Sequence, residues 1–530
     1  MSKKEKKHKK ILSPISIFFL LIIGTVLLSA LFSGLGKIEI NNKYPFSWLS
    51  QGSYSAVNSI SGELETQVVE VESLLNTKGI QYIVSNFVSN FVSFAPLGMI
   101  LIALIGLSVA EKSGLFKALF LLKKKETSPK FILTMFLIFL GVISSIFTDL
   151  GYVVLIPLGA MMFSLQNRNP LGGIIAAFAG VAGGYGISVF ISSFDTSLSV
   201  YTTTAAKLLD PKYATATFGN IFYMLIATIL ITIIGTIITE KLILPKLPKK
   251  KEEIVDIDEI KILERKHKRG LLFSALSIIV CTILFIYMII PNCSLPGTGI
   301  LLDTTASGYI NQLLGSNSYF QQGLVVLVTG LFFIAGLFYG FGSKSIKNDN
   351  DIINFITSSK NNIGYLIILL FFASQFIAIF KKTNIGVVLN ISLINLIQNL
   401  DITGLPLIVL FFVIVMVGSL FITVPTTKWS IMAPVIVPLF MQSNMSPEFA
   451  QLVFRSAISP INMVTPLLAY YVIYLGYLQI YNKTDEVITI RKSFKYMLPY
   501  TILFGLTFLI LIIIWYIIGL PIGPGVYPTL

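Results

Sequence analysis

Thr148-Asp-Leu-Gly-Tyr-Val-Val-Leu-Ile-Pro157-Leu158 and Lys428-Trp-Ser-Ile-Met-Ala-Pro-Val-Ile-Val-Pro438-Leu439 echo one another across the chain. Each opens on polar residues and then runs through V-(L/I)-(I/V)-P-L. Each is followed by a second interruption, Gly183-Gly-Tyr-Gly-Ile-Ser188 in the first half and Ser459-Pro-Ile-Asn462 with Thr465-Pro466 in the second. Proline and glycine in an apolar stretch free backbone N–H and C=O groups, which are tolerated at membrane depth only where protein or a water-filled cavity satisfies them. Helix ends made at such breaks aim partial charge at the midplane, N-termini suiting carboxylates and carbonyls suiting cations. Broken segments repeated between two halves therefore point to the site of a secondary transporter.

Around these stretches the chain is apolar. Of its 530 residues 55% are hydrophobic and 12% charged, with a mean hydropathy of +0.82. A soluble chain carries about twice that charged fraction, so the composition predicts an all-α polytopic membrane protein. A helix needs about 20 apolar residues to cross the hydrocarbon core. Nine stretches fit: 11–35, 87–110, 131–147, 218–244, 271–290, 323–342, 363–380, 405–422 and 496–520. The interrupted regions between them read as re-entrant segments beside about nine spans in two related halves, with two short extra crossings in the 150–195 region as the alternative. The expected organisation is a basic tail at 1–10, a first transmembrane half at 11–244 with its broken segment at 149–195, and a charged linker at 245–269. A second half follows at 270–530, with broken segments at 384–400 and 426–466. The apolar run after the basic tail lacks an A-x-A cleavage site and reads as a retained helix.

A net charge of +14 raises nucleic acid as a partner, and the placement of the charges excludes it. Residues 1–10 carry +5, 111–130 carry +4, 245–269 carry +3, 343–361 carry +1, and Arg491, Lys492 and Lys495 add +3. The loops at 36–80 and 292–320 carry −2 and −1. Lys and Arg collect on the cytoplasmic side, so the basic segments and the N-terminus are expected inside a bacterial plasma (inner) membrane. The 36–80 loop reads as too small and polar to build a core. Cys281, Cys293, His8 and His267 are the only cysteines and histidines, which excludes disulfide scaffolds, zinc clusters and histidine triads. No Walker A sequence, G-x-S-x-G elbow or other enzyme signature is present, so no enzymatic activity, ATP use or cofactor is expected.

Ionisable residues inside apolar regions cost about 2.5–3.5 kcal/mol or more at the bilayer centre and mark function. Asp149 opens the first broken segment, either capping a helix or serving an ion, and Asp195 closes it within Ser192-Ser-Phe-Asp195. Arg455 lies between two breaks, suited to a bidentate carboxylate contact or to snorkelling. Trp429 offers a flat face for an aromatic ring or an interfacial anchor, and Lys428 beside it reads as snorkelling.

Several blocks together resemble the p-aminobenzoyl-glutamate transporter (AbgT) family, in order from about residue 80 to the C-terminus. They include Asn90-Phe-Val-Ser-Phe-Ala-Pro-Leu-Gly98, Ala110-Glu-Lys-Ser-Gly114, Asp149-Leu-Gly-Tyr-Val-Val-Leu-Ile-Pro-Leu-Gly-Ala160 and Ala176-Ala-Phe-Ala-Gly180. Further blocks are Phe372-Ala-Ser-Gln-Phe-Ile-Ala-Ile-Phe380, Thr383-Asn-Ile-Gly386, Thr427-Lys-Trp429, Ala433-Pro-Val-Ile-Val-Pro-Leu-Phe440, Ser446-Pro-Glu-Phe-Ala-Gln451 and Gly519-Leu-Pro-Ile-Gly-Pro-Gly525. The resemblance implies a homodimer of protomers with nine transmembrane helices and two re-entrant helical hairpins, carrying p-aminobenzoyl-glutamate, with links to antiport and export of sulfonamide antimetabolites, driven by H+ or Na+. It places Trp429, Arg455, Pro466, Thr426 and Asn462 at the substrate, with Thr426 in place of a family serine. Asp195, Asp149, Ser188 and Asn384 stand as the ion-coupling candidates. Two departures touch the ion. Where the family reads R-I-G-D this chain has Arg455-Ser-Ala-Ile458, and where the family has Asn in G-G-F-S-A-N it has Ser188. Both remove ligands a sodium site would use.

The expected function is thus an ion-coupled secondary transporter of p-aminobenzoyl-glutamate-like aromatic carboxylates, with membrane lipid and a second subunit as its partners. The alternative is a transporter or gradient-independent facilitator of a different small organic anion.

Overall fold

The computed structural model describes residues 12–40, 43–57, 64–122, 130–147, 149–187, 189, 193–216, 218–248, 264–291, 295–315, 317–357, 360–482 and 487–530. Helix α1 (Pro14–Leu35) starts on Ser13, whose Oγ accepts from Ser16 N, with proline at the first helical position where no N–H is needed. After the single turn α2 (Ser47–Ser50), strands β1 (Gln51–Val57) and β2 (Leu64–Glu70) pair antiparallel, Gln51 opposite Glu70. Helices α3 (Thr77–Val92) and α4 (Ala95–Lys112) form one long apolar rod, and α5 (Leu115–Leu122) follows.

Next come α6 (Lys130–Ile143), α7 (Leu150–Leu165), α8 (Pro170–Gly183), α9 (Ser193–Ala206) and α10 (Ile221–Ile237), the last running into a π turn at Ile238–Ile243. Then α11 (Glu264–Ile289), α12 (Tyr309–Leu314), α13 (Tyr319–Ser343), α14 (Asp349–Thr357) and α15 (Lys360–Lys382) lead to the second half of the site. That half contains α16 (Ile385–Gln398), α17 (Gly404–Ser419), α18 (Pro425–Gln442), α19 (Pro447–Ile461), α20 (Tyr471–Ile480) and α21 (Ile490–Ile518). Only 11% of the apolar window in Arg265–Ile289 and 17% of that in Pro14–Leu35 is buried, leaving exposed leucine and isoleucine faces.

Two turns reveal an internal repeat. Asn167 and Asn444 both take the left-handed conformation (φ 55° and 57°), and each stands three residues before a proline that begins a helix, Pro170 and Pro447. Asn169 and Ser446 cap those helices. The spacing of the asparagines, 444 − 167 = 277, carries Pro157 onto Pro434, Phe163 onto Phe440 and Tyr152 onto Trp429. At the same spacing α6 to α9 fall on α17 to α20 to within three residues at every boundary. The sequence echo had set Pro157 beside Pro438, one turn late. Pro434 and Pro438 share a helix face, so the short apolar string matches at either proline.

The repeats enter from opposite faces. Thr134 near the start of α6 and Arg168 just beyond α7 both donate to Glu240 Oε1, each at 2.5 Å, and Asn169 Nδ2 donates to Pro248 O at 2.7 Å. Both ends of the first hairpin therefore lie on the face of the basic linker. At the other hairpin, Ser446 N and Oγ donate to Pro528 O and Tyr527 O at 2.9 and 2.6 Å, beyond the far end of α21. The Tyr516 hydroxyl of α21 lies close to Gly404 at the start of α17. The α17–α18 hairpin thus dips in from the opposite face.

This corrects the span assignment in one respect. Residues 131–147 and 405–422, expected as crossings, are the first limbs of the re-entrant hairpins. Helices of 14 and 16 residues reach about 21–24 Å, short of a hydrocarbon core of about 30 Å. Hydropathy alone cannot tell such a limb from a span. Seven helices among the described residues are long and apolar enough to cross. The broken pairs α8–α9 and α19–α20 cross as well and restore the total of nine.

Helices α8 and α19 are the central pillars, for every residue of each is buried. Glycine makes the first of these fits possible: a Cβ on Gly173 would lie 2.0 Å from Gly159 O, so α7 and α8 touch backbone to backbone. The acidic loop builds no core of its own: its β-hairpin leans on α16. Gly52 rests on Ile391, Ser392 Oγ donates to Trp48 O at 2.8 Å, and Lys382 pairs with Glu72 at 2.6 Å.

The C-terminal segment is a clasp. Ile522 is fully buried and its carbonyl accepts from Phe222 N at 2.9 Å, capping α10, while Pro528 and Tyr527 hold the head of α19. Deleting residues 521–530 should cost about 2–4 kcal/mol through lost burial and orphaned N–H groups. It would appear as a lower thermal midpoint in detergent, and an unchanged midpoint would show the segment to be passive.

Candidate functional site

Arg455 sits midway along α19 and is 2% exposed. Its Nη1 donates to the Asp195 carboxylate, a buried ion pair, and its Nε donates to Gly186 O at 3.1 Å. The guanidinium carbon stands 5.3 Å from the Phe194 ring centroid. Asp195 lies in the first turn of α9, where the helix dipole favours a carboxylate. Gly186 N in turn donates to Ser459 Oγ at 2.8 Å. A Cβ on Gly186 would fall 2.0 Å from Arg455 O, so only glycine lets the first-half break lie against α19. Arg455 Nη2 has no partner among the described residues, which leaves one planar donor unspent. Burial of the pair rules out snorkelling for Arg455.

Trp429 is fully buried in α18, away from any interfacial belt. Its Nε1 donates to Thr202 Oγ1 at 2.9 Å, and Thr202 donates to Gln451 Oε1 at 2.6 Å. The indole packs on Phe454 at 4.6 Å, tilted by 35°, and lies 6.5 Å from Phe411. Lys428 corrects its sequence reading: it is buried, its Nζ donating to Ser419 Oγ, and does not snorkel.

Of the other predicted substrate residues, Thr426 lies in the first turn of α18, Asn462 at the end of α19 and Pro466 in the break after it. Thr465 Oγ1 donates to Leu420 O at 3.0 Å and Thr423 Oγ1 to Leu467 O at 3.3 Å, tying the tip of the second hairpin to the second broken crossing. Ile458, at the position of the family acid, is an apolar core residue.

The other ion candidates lie apart. Asp149 heads α7 but makes no capping bond; its carboxylate lies near the Tyr470 hydroxyl, which itself points to Met99 Sδ at 3.6 Å. Tyr470 stacks on Tyr152 at 4.8 Å and 5°. At the repeat spacing Asp149, Tyr152 and Tyr185 answer to Thr426, Trp429 and Asn462, so the first half holds an acidic, tyrosine-lined counterpart of the second-half site. No ion pair or hydrogen bond joins Asp149 to Asp195 among the described residues. Ser188 lies outside the described residues. Asn384 is on the opposite face at the head of α16, with φ 58°, and donates to Glu70 O at 3.2 Å, so it anchors β2.

Sequence reasoning missed Thr202, Gln451, Ser459, Gly186 and Phe454. One signal was available, since Glu448, Gln451, Arg455, Ser459 and Asn462 recur at three- and four-residue spacing and so line one face of an otherwise apolar helix. Glu448 at the head of that stripe accepts from Tyr213 OH and Ala216 N at 2.7 and 2.9 Å.

Comparison with known proteins gives the family of the chain. Residues 2–530 match the AbgT putative transporter family. The p-aminobenzoyl-glutamate transport protein of Escherichia coli (strain K12) is 30% identical over 526 residues, covering 99% of this chain and 96% of that protein. The solved YdaH transporter of Alcanivorax borkumensis is 30% identical and covers 97% of this chain and 100% of its own, with a TM-score of 0.46. MtrF of Neisseria gonorrhoeae, described with a class of antimetabolite efflux pumps, is 29% identical over 98% of each chain, with a TM-score of 0.46. The chain is a multi-pass membrane transporter, not an enzyme, and belongs to the AbgT putative transporter family.

Proposed function

We propose that the chain is an ion-coupled secondary transporter of p-aminobenzoyl-glutamate-like aromatic carboxylates, working as a homodimer in a bacterial plasma membrane with its basic face cytoplasmic. The buried Arg455–Asp195 pair, where the first-half break rests on α19, carries this reading. A carboxylate substrate and Asp195 compete for one guanidinium. A proton or sodium ion taken up by Asp195 weakens its hold and frees Arg455 for the substrate. Cation and anion then bind with positive linkage, which favours movement of both in the same direction. Trp429 and Phe454 supply the aromatic wall. Rearrangement of the two hairpins would expose the site to each face in turn.

The test is flux of p-aminobenzoyl-glutamate and of a sulfonamide into vesicles holding the purified protein, with proton and sodium gradients imposed separately. Accumulation driven by one gradient supports the proposal. Flux that ignores both would make the protein a facilitator, and absence of flux for both compounds would remove this substrate class.

A further inference from the structure

A buried amine beside the site is left unused by that scheme. Lys428 lies in the first turn of α18 and is 1% exposed. Its ammonium donates to Ser419 Oγ at the end of α17 and stands 5.7 Å from the Phe454 ring. An ammonium has three donors, and a carboxylate is its usual counter-ion at membrane depth. Among the described residues the ion pairs are Arg168–Glu240, Lys382–Glu72 and Arg455–Asp195, and none includes Lys428. Arg455 has its counter-ion here, whereas Lys428 has only a hydroxyl and the face of a ring. Phe454 joins the two basic groups, since it packs against Trp429 next to Lys428 and precedes Arg455 on α19.

We propose that Lys428, in the first turn of α18, forms a second anion subsite, which takes the second carboxylate of an aromatic dicarboxylate whose first carboxylate is held by Arg455. This rests on the transport reading above and assigns the second carboxylate of its p-aminobenzoyl-glutamate-like substrate to a named residue. A monocarboxylate leaves the ammonium buried without a counter-ion, while a dianion supplies one.

Equilibrium binding to the purified full-length protein tests it with p-aminobenzoyl-glutamate and p-aminobenzoyl-glutamine, which match in shape and differ by one charge. The wild type should prefer the glutamate compound by roughly ten- to a hundredfold, the effect of one charge-assisted contact. Lys428→Met should bring the two affinities to within about twofold by weakening the dianion alone, and Lys428→Arg should restore most of the preference. A packing role would weaken both ligands alike. A wild type that binds the two equally, or a Lys428→Met protein that keeps the preference, overturns the subsite. A wild type that binds neither overturns the transport reading as well.

Discussion

Asp195→Asn should abolish gradient-driven accumulation while leaving a folded protein that still binds carboxylates. An amide keeps the shape of the side chain and can still accept from Arg455 Nη1, yet it takes up no proton and carries no charge to balance a sodium ion. The guanidinium is then permanently available, as though the coupling ion were always bound. Binding should be at least as tight as in the wild type and should no longer respond to pH or sodium, while accumulation falls by roughly tenfold or more, to the level set by leak. Loss of a charged partner in a buried pair costs about 3–5 kcal/mol when the other charge is left bare; the retained hydrogen bond limits that cost, which size-exclusion chromatography and thermal unfolding would read. Normal gradient-driven flux in this variant would sink the coupling scheme.

Arg455→Gln should have the opposite signature. Removing the cation that meets the substrate carboxylate should weaken binding by roughly a hundredfold, about 3 kcal/mol. It also strips the Asp195 carboxylate of its buried partner, so stability should fall together with affinity. The double variant Asp195→Asn/Arg455→Gln separates the two effects. It should recover much of the stability, because no lone charge remains, and none of the affinity. Carboxylate affinity unchanged in Arg455→Gln would remove that residue from the substrate site.

Much of this architecture is legible in the residues because lipid exposure imposes a simple rule: a long apolar run must cross or be covered. Arg455, Asp195 and Trp429 stood out for the same reason, being costly or polar groups in an apolar setting. Their partners did not. Asp195 and Arg455 are 260 residues apart, and nothing local in either segment says that they meet. Only the fold, with Gly186 laid on α19, brings them together. The re-entrant limbs were misread because hydropathy reports environment and not the direction in which a helix leaves. Lys428 was misread because a lysine near a helix end usually reaches water, whereas the neighbouring hairpin tip covers this one. The β-hairpin was illegible because its core comes from α16, more than 300 residues away.

The opposed repeats hold a sketch of the other half of the transport cycle. If residues 130–246 took the backbone shape of 407–523, and the reverse, the molecule would turn inside out with the same contacts in exchanged roles. The ties at Glu240 and at the C-terminal clasp would trade places as latch and hinge. The chain need not store two unrelated folds to reach both sides of a bilayer. One fold, written twice in opposite senses, has its counter-shape built in.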